Sequence, residues 1–160
     1  MCAEKIAFEE KYEMYSGLIF RIALIFLKNR ADAEDVVHDV FVKVLSNSKN
    51  FNEAEGEKAW IIKVTMNRCK NILKSFWKKK TDLLQSVIDI PVFSEEERSV
   101  IKEVAALSEK YKTVIYLHYI EGYKVSEISH MLHASPSAVK MRLARARKLL
   151  KSVMEDETHE

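Results

Sequence analysis

The sequence calls for an all-α protein made of two small helical lobes joined by a linker. Glycine and proline are scarce, 3 and 2 in 160 residues, against average shares of roughly 7% and 5%. Hairpin-rich sandwiches and barrels need such residues at their turns, so that class is excluded. Apolar residues instead recur at helical spacing almost throughout. Charge comes in blocks: residues 1–56 carry net −3, 57–80 carry +7, 81–109 carry −5 and 110–160 carry +3. Two basic surfaces parted by an acidic connector suit a polyanionic partner.

A first helix is expected from about Phe8 to Lys28, a short turn at Asn29 and Arg30, and a second helix from about Asp32 to Leu45. In the second helix Ala33, Val37, Val40, Phe41 and Val44 share one side, and Asp35, His38, Asp39 and Val42 share the other. An acidic face with an outward valine repels DNA and suits a basic protein surface. The polar stretch Ser46 to Lys58 reads as a loop of functional length.

A long helix then runs from Ala59 to about Lys80. Its apolar residues Ile62, Met66, Cys69, Leu73 and Phe76 step by four, three, four and three. Lys63, Asn67, Lys70, Asn71, Lys74 and Lys78 gather on the opposite face, and Trp60 and Trp77 bracket the run. Cations that track a backbone, with amides and aromatics beside them, suit a nucleic acid whose bases are exposed. Residues 81–99, with Pro91 and the acidic run Glu95 to Glu97, form the linker between a lobe at 1–80 and a lobe at 100–160.

The second lobe is expected as helices at about Val100–Ser108, Glu109–Glu121, Val125–His133 and Pro136–Glu155. The last two, with a short turn between them, have helix-turn-helix spacing. Ser135 as N-cap and Pro136 at the first helical position make a sound start signal. Ser129 is small where the two helices approach, and Val139 is apolar where an angle must be filled. Val139, Leu143, Ala146, Leu150 and Val153 lie in a stripe roughly 80° wide, which makes them the buried face. Ser137, Lys140, Met141 and Arg145 then reach toward base edges. Arg142, Arg147, Lys148 and Lys151 meet phosphates.

Gly17, Gly56 and Gly122 stand far apart, so no glycine-rich phosphate loop exists. Cys2 and Cys69 form no CxxC pair, which points to a reducing compartment without disulfides or zinc. No clustered carboxylates, deaminase signature or nucleophile motif suggests an enzyme. His130 and His133 lack companions for a metal site, so no cofactor is expected. Leu18 to Leu27 is broken by Arg21 and is shorter than the roughly 20 residues of a bilayer span. With glutamates where a leader would sit, the chain reads as cytoplasmic, with no membrane contact.

The segments NRADAEDVVHDVFVKVL, KAWIIKVTMNRCKNILKSFWKKK and LSEKYKTVIYLHYIEGYKVSEISHMLHASPSAVKMRLARARKLL, in that order, resemble a bacterial RNA polymerase sigma factor of the extracytoplasmic-function (ECF) group. That resemblance implies a sigma region 2 bundle and a region 4 helix-turn-helix, with core RNA polymerase and promoter DNA as partners. Asp35, Asp39 and Val42 match the helix that docks on the β′ clamp. Asn50 to Gly56, including Phe51 and Asn52, match the loop that captures a flipped minus-ten base. Lys63, Asn67, Lys70, Asn71 and Lys74 match the helix that meets the melted strand. The helix from Pro136, with Ser137, Lys140, Met141, Arg142, Arg145 and Lys148, matches the minus-thirty-five reader. The same lobe matches the part that holds the β-flap. Many relatives also bind an anti-sigma factor.

A plain helix-turn-helix regulator would leave the asparagine-lysine helix and the acidic face without a role. One departure concerns His133, where the family usually has glycine. A positive φ there would strain histidine.

Overall fold

A computed structural model of the protein describes residues 2–47, 51, 54–75 and 94–158, all outside their short connections being helical. The chain divides into two compact units, Met1–Asp89 and Ile90–Glu160.

The first unit packs three helices pairwise: α1 (Cys2–Leu27), α2 (Arg30–Ser46) and α3 (Ala54–Ser75). The run Ile22 to Leu27 on α1 is buried throughout, because α2 and α3 cover it from two sides. Val36, Val40, Ile61, Ile62 and Cys69 complete this core. α1 starts six residues earlier than its apolar pattern suggested, since Cys2 to Ala7 contains no helix breaker.

The turn into α2 also falls one residue earlier than expected, at Lys28 and Asn29. Lys28 takes φ 55°, and its N–H donates to the Leu24 carbonyl at 2.8 Å. The Asn29 side chain accepts from the Asp32 N–H at 3.0 Å, so Arg30 is already helical. On α2, Val36 joins the core, while Val44 is only half-buried.

α3 begins at Ala54, five residues before the expected Ala59. Glu57 in its first turns suits the positive end of a helix, and the polar loop shortens accordingly. The expectations for Phe76 to Lys80, Trp77 included, and for the linker as far as Phe93 lie outside the described residues.

The second unit contains α4 (Glu95–Ala105), α5 (Glu109–Ile115) running on into a π-turn (Tyr116–Ile120), α6 (Val125–Leu132) and α7 (Pro136–Thr158). The expected linker ends early. Glu95 and Glu96 open α4, where negative charge is favoured.

α5 is the enclosed helix of this unit, with Lys112 to Leu117 all buried. The α-helix expected as far as Glu121 instead widens at its end. The Glu121 N–H reaches the Tyr116 carbonyl at 3.0 Å, and the Tyr123 N–H reaches that of Leu117 at 2.9 Å. Gly122 at φ 80° closes the turn, a conformation that glycine adopts without strain. Within that turn the Tyr116 hydroxyl donates to Glu121 Oε1 at 2.6 Å.

Candidate nucleic-acid interface

The helix-turn-helix in the second unit is fastened at each end of its turn. Ser135 caps α7: its Oγ accepts from the Ala138 N–H at 3.1 Å, and Pro136 follows at the first helical position. At the other end, His133 terminates α6 at φ 53° and ψ 39°, so histidine adopts the left-handed geometry that would strain it. Its neighbour Ala134 donates N–H to the Ser129 carbonyl at 3.1 Å, while Ser129 Oγ donates to the Ala134 carbonyl at 2.5 Å. Ser129 therefore closes the turn as well as keeping the helices close.

Val139, Leu143 and Ala146 are buried, and Leu150 is half-buried. Ser137, Lys140, Met141, Arg145 and Lys148 are all exposed on α7, and Arg142 is half-buried. Arg147 is exposed but engaged, donating from Nη1 to the Tyr119 hydroxyl at 2.9 Å. The side chains of Lys151 and Val153 lie outside the described set.

On α3, Ile61, Ile62, Thr65, Met66 and Cys69 are buried. Thr65 satisfies its hydroxyl on the Ile61 carbonyl at 2.7 Å. Lys63, Asn67, Asn71 and Lys74 are exposed, and Lys70 is half-buried. Asn50 and Asn52 lie outside the described residues. Phe51 is half-buried, its ring 5.7 Å from that of Trp60.

On α2, Asp35, His38 and Val42 are exposed. Asp39 is half-buried and accepts from Arg68 Nε at 2.8 Å. This pair joins α2 to α3. Sequence reasoning missed Glu57, which ties the start of α3 to Lys11 and Tyr15 of α1. Partners 46 and 42 residues away leave no local pattern to read.

Among the described residues no helix is long and apolar enough to cross a membrane. Family models match at both ends of the chain: sigma-70 region 2 at residues 12–79 and sigma-70 region 4 at residues 97–150. RNA polymerase sigma factor SigV of Bacillus subtilis is 30% identical over 138 residues, which is 82% of this chain and 81% of SigV. The ECF sigma factor SigM of the same organism is 27% identical over 153 residues, 91% of this chain and 93% of SigM.

The chain belongs to the ECF RNA polymerase sigma factors.

Solved structures agree on the fold of this sigma factor. RpoE of Bartonella quintana, crystallised with the anti-sigma factor NepR, superposes with a TM-score of 0.72 at 17% identity, covering 93% of this chain and 97% of RpoE. CnrH, in complex with the cytosolic domain of CnrY, gives 0.70 at 22% identity, covering 95% and 90%. A sigma factor serves transcription initiation by binding core RNA polymerase and directing promoter recognition and melting.

Proposed function

We propose that this sigma factor divides its work among three helix faces. Asp35, Asp39 and Val42 on α2 dock on the β′ clamp of core polymerase. Lys63, Asn67, Lys70, Asn71 and Lys74 on α3 meet the melted minus-ten strand, with Asn50, Phe51 and Asn52 taking its flipped base. Ser137, Lys140, Met141, Arg142, Arg145 and Lys148 on α7 read the minus-thirty-five duplex. The second unit also holds the β-flap. Region 2 takes residues 1–80, and region 4 opens with α4 at Glu95, which shortens the linker from the expected 81–99. The protein catalyses nothing itself and acts in the cytoplasm. An anti-sigma factor belongs among its partners, as with RpoE.

The observation that carries this reading is the outer face of α3. Lysines alternate there with asparagines that stay exposed while Ile62, Met66 and Cys69 on the inner face are buried. Lysines supply sequence-independent attraction to phosphates. Amides reach base edges only when pairing has opened. Extruding a base costs a few kcal/mol, which a loop with an aromatic surface helps to recover.

The test is titration of fluorescently labelled protein into core polymerase stripped of sigma, read by anisotropy at physiological salt. Saturable binding competed by another sigma factor supports the reading. Binding to duplex DNA with core ignored would make the protein a plain regulator.

A further inference from the structure

Glu57 sits near the start of α3 with both carboxylate oxygens held by α1. Lys11 Nζ donates to Oε2 at 2.9 Å, and the Tyr15 hydroxyl donates to Oε1 at 3.0 Å. Lys11 and Tyr15 are four residues apart, so they share one face of α1. Tyr15 is 4% exposed and the Glu57 side chain 18%, so the tyrosine end of this two-point, charge-assisted tie is shielded from water while its lysine end is partly solvated.

The same turn of α3 carries an aromatic contact. A Cβ on Gly56, the residue before Glu57, would stand 3.8 Å from Phe51 Cδ1. Three residues after Glu57, Trp60 meets the Phe51 ring at 5.7 Å and a 45° tilt. Cohesion among the three helices comes from the buried aliphatic residues. What a bidentate tie adds is direction, because it fixes both where the first turns of α3 lie and how they are rotated.

We propose that Glu57 is a positioning residue for base capture. Gripped by Lys11 and Tyr15, it holds the start of α3 in the register at which Phe51 packs on Trp60, and that aromatic surface then receives an unstacked promoter base. The inference rests on the minus-ten reading of α3.

The experiment uses the full chain assembled with core polymerase and carrying Tyr15→Phe, Lys11→Met, both together, or Glu57→Gln. The probes are labelled non-template strands containing a minus-ten sequence mapped for the wild type, and the same strands made abasic at successive positions. The wild type should bind the intact strand better than one abasic strand. Each variant should lose about fivefold on the intact strand and little on that abasic one, so their ratio falls toward unity. Core affinity should stay as it was. A wild-type-like ratio in the variants, or an equal loss on both strands together with weaker core binding, overturns the positioning role. Failure of the wild type to discriminate any abasic strand instead removes the minus-ten reading beneath it. Lys11 is 43% exposed, so Lys11→Met keeps the comparison readable should Glu57→Gln not fold.

Discussion

Replacing His133 by glycine should stabilise the C-terminal unit. His133 ends α6 at φ 53° and ψ 39°, and a left-handed L-residue costs roughly 1–2 kcal/mol. Glycine escapes that strain, but its greater freedom in the unfolded chain returns about 0.5–1 kcal/mol. The net gain is about 0.5–1 kcal/mol. The imidazole is exposed, so no core packing is lost with it. For a unit spanning Ile90–Glu160, the gain raises the midpoint by roughly 2–8 °C.

Two companions sharpen the test. Asparagine tolerates the left-handed region and should approach glycine, whereas valine, branched at Cβ, should fall below histidine by more than about 1 kcal/mol. Trp60 and Trp77 both lie within Met1–Asp89, so tryptophan fluorescence reports the first unit alone and circular dichroism reports both. The dichroism transition of the second unit should move while the fluorescence transition stays. A glycine variant less stable than wild type, or a valine variant equal to it, would refute the reasoning.

Arg145→Ala should cost about 1–3 kcal/mol on a minus-thirty-five duplex and far less on a scrambled one, as read by anisotropy. Lys63→Ala should lower the log–log salt slope of single-strand binding by about 0.7, while Asn67→Ala should weaken binding and leave that slope intact. Asp39→Lys should weaken core binding in the titration. A double-mutant cycle of Asp39→Asn with Arg68→Ala, followed by denaturant unfolding, should give a coupling of about 0.2–1 kcal/mol, since both partners are partly exposed. Ile62→Ala, at a site with 0% exposure, should cost about 2–5 kcal/mol in the tryptophan-detected transition.

The features readable beforehand were those with a local cause. The Ser135–Pro136 start of α7 and its stripe of Val139, Leu143 and Ala146 depend on cap chemistry and helical period, both visible within one turn or two. The same holds for Ile62, Met66 and Cys69 on α3. Boundaries slipped for different reasons: α1 begins at Cys2 in a stretch of ordinary helix formers, α3 begins at Ala54 despite Gly56 in its first turn, and α4 begins at Glu95, directly after Ser94. The π-turn after α5 also escaped notice, because its widened hydrogen bonds depend on how Tyr116 and Leu117 settle into the core. Least legible were the side-chain ties between helices. Arg68 with Asp39, Arg147 with Tyr119 and Glu57 with Lys11 are 29, 28 and 46 residues apart, and no periodicity encodes a meeting at that distance.

Those ties change how the basic helices are understood. Arg68 and Arg147 each donate to an acceptor inside their own unit. An arginine's planar fork suits such fixed pairing, whereas a lysine is a mobile point charge. On α3, Lys63, Asn67, Asn71 and Lys74 are exposed on the face proposed to meet DNA. The Arg68–Asp39 pair has a second consequence. It fastens the helix assigned to DNA onto the helix assigned to polymerase, over a core that both share with α1. Packed cores resist continuous deformation. Under the proposed assignment, a clamp that grips α2 would hold the α3 face as one block with it, and strand capture would begin from a surface already oriented by docking.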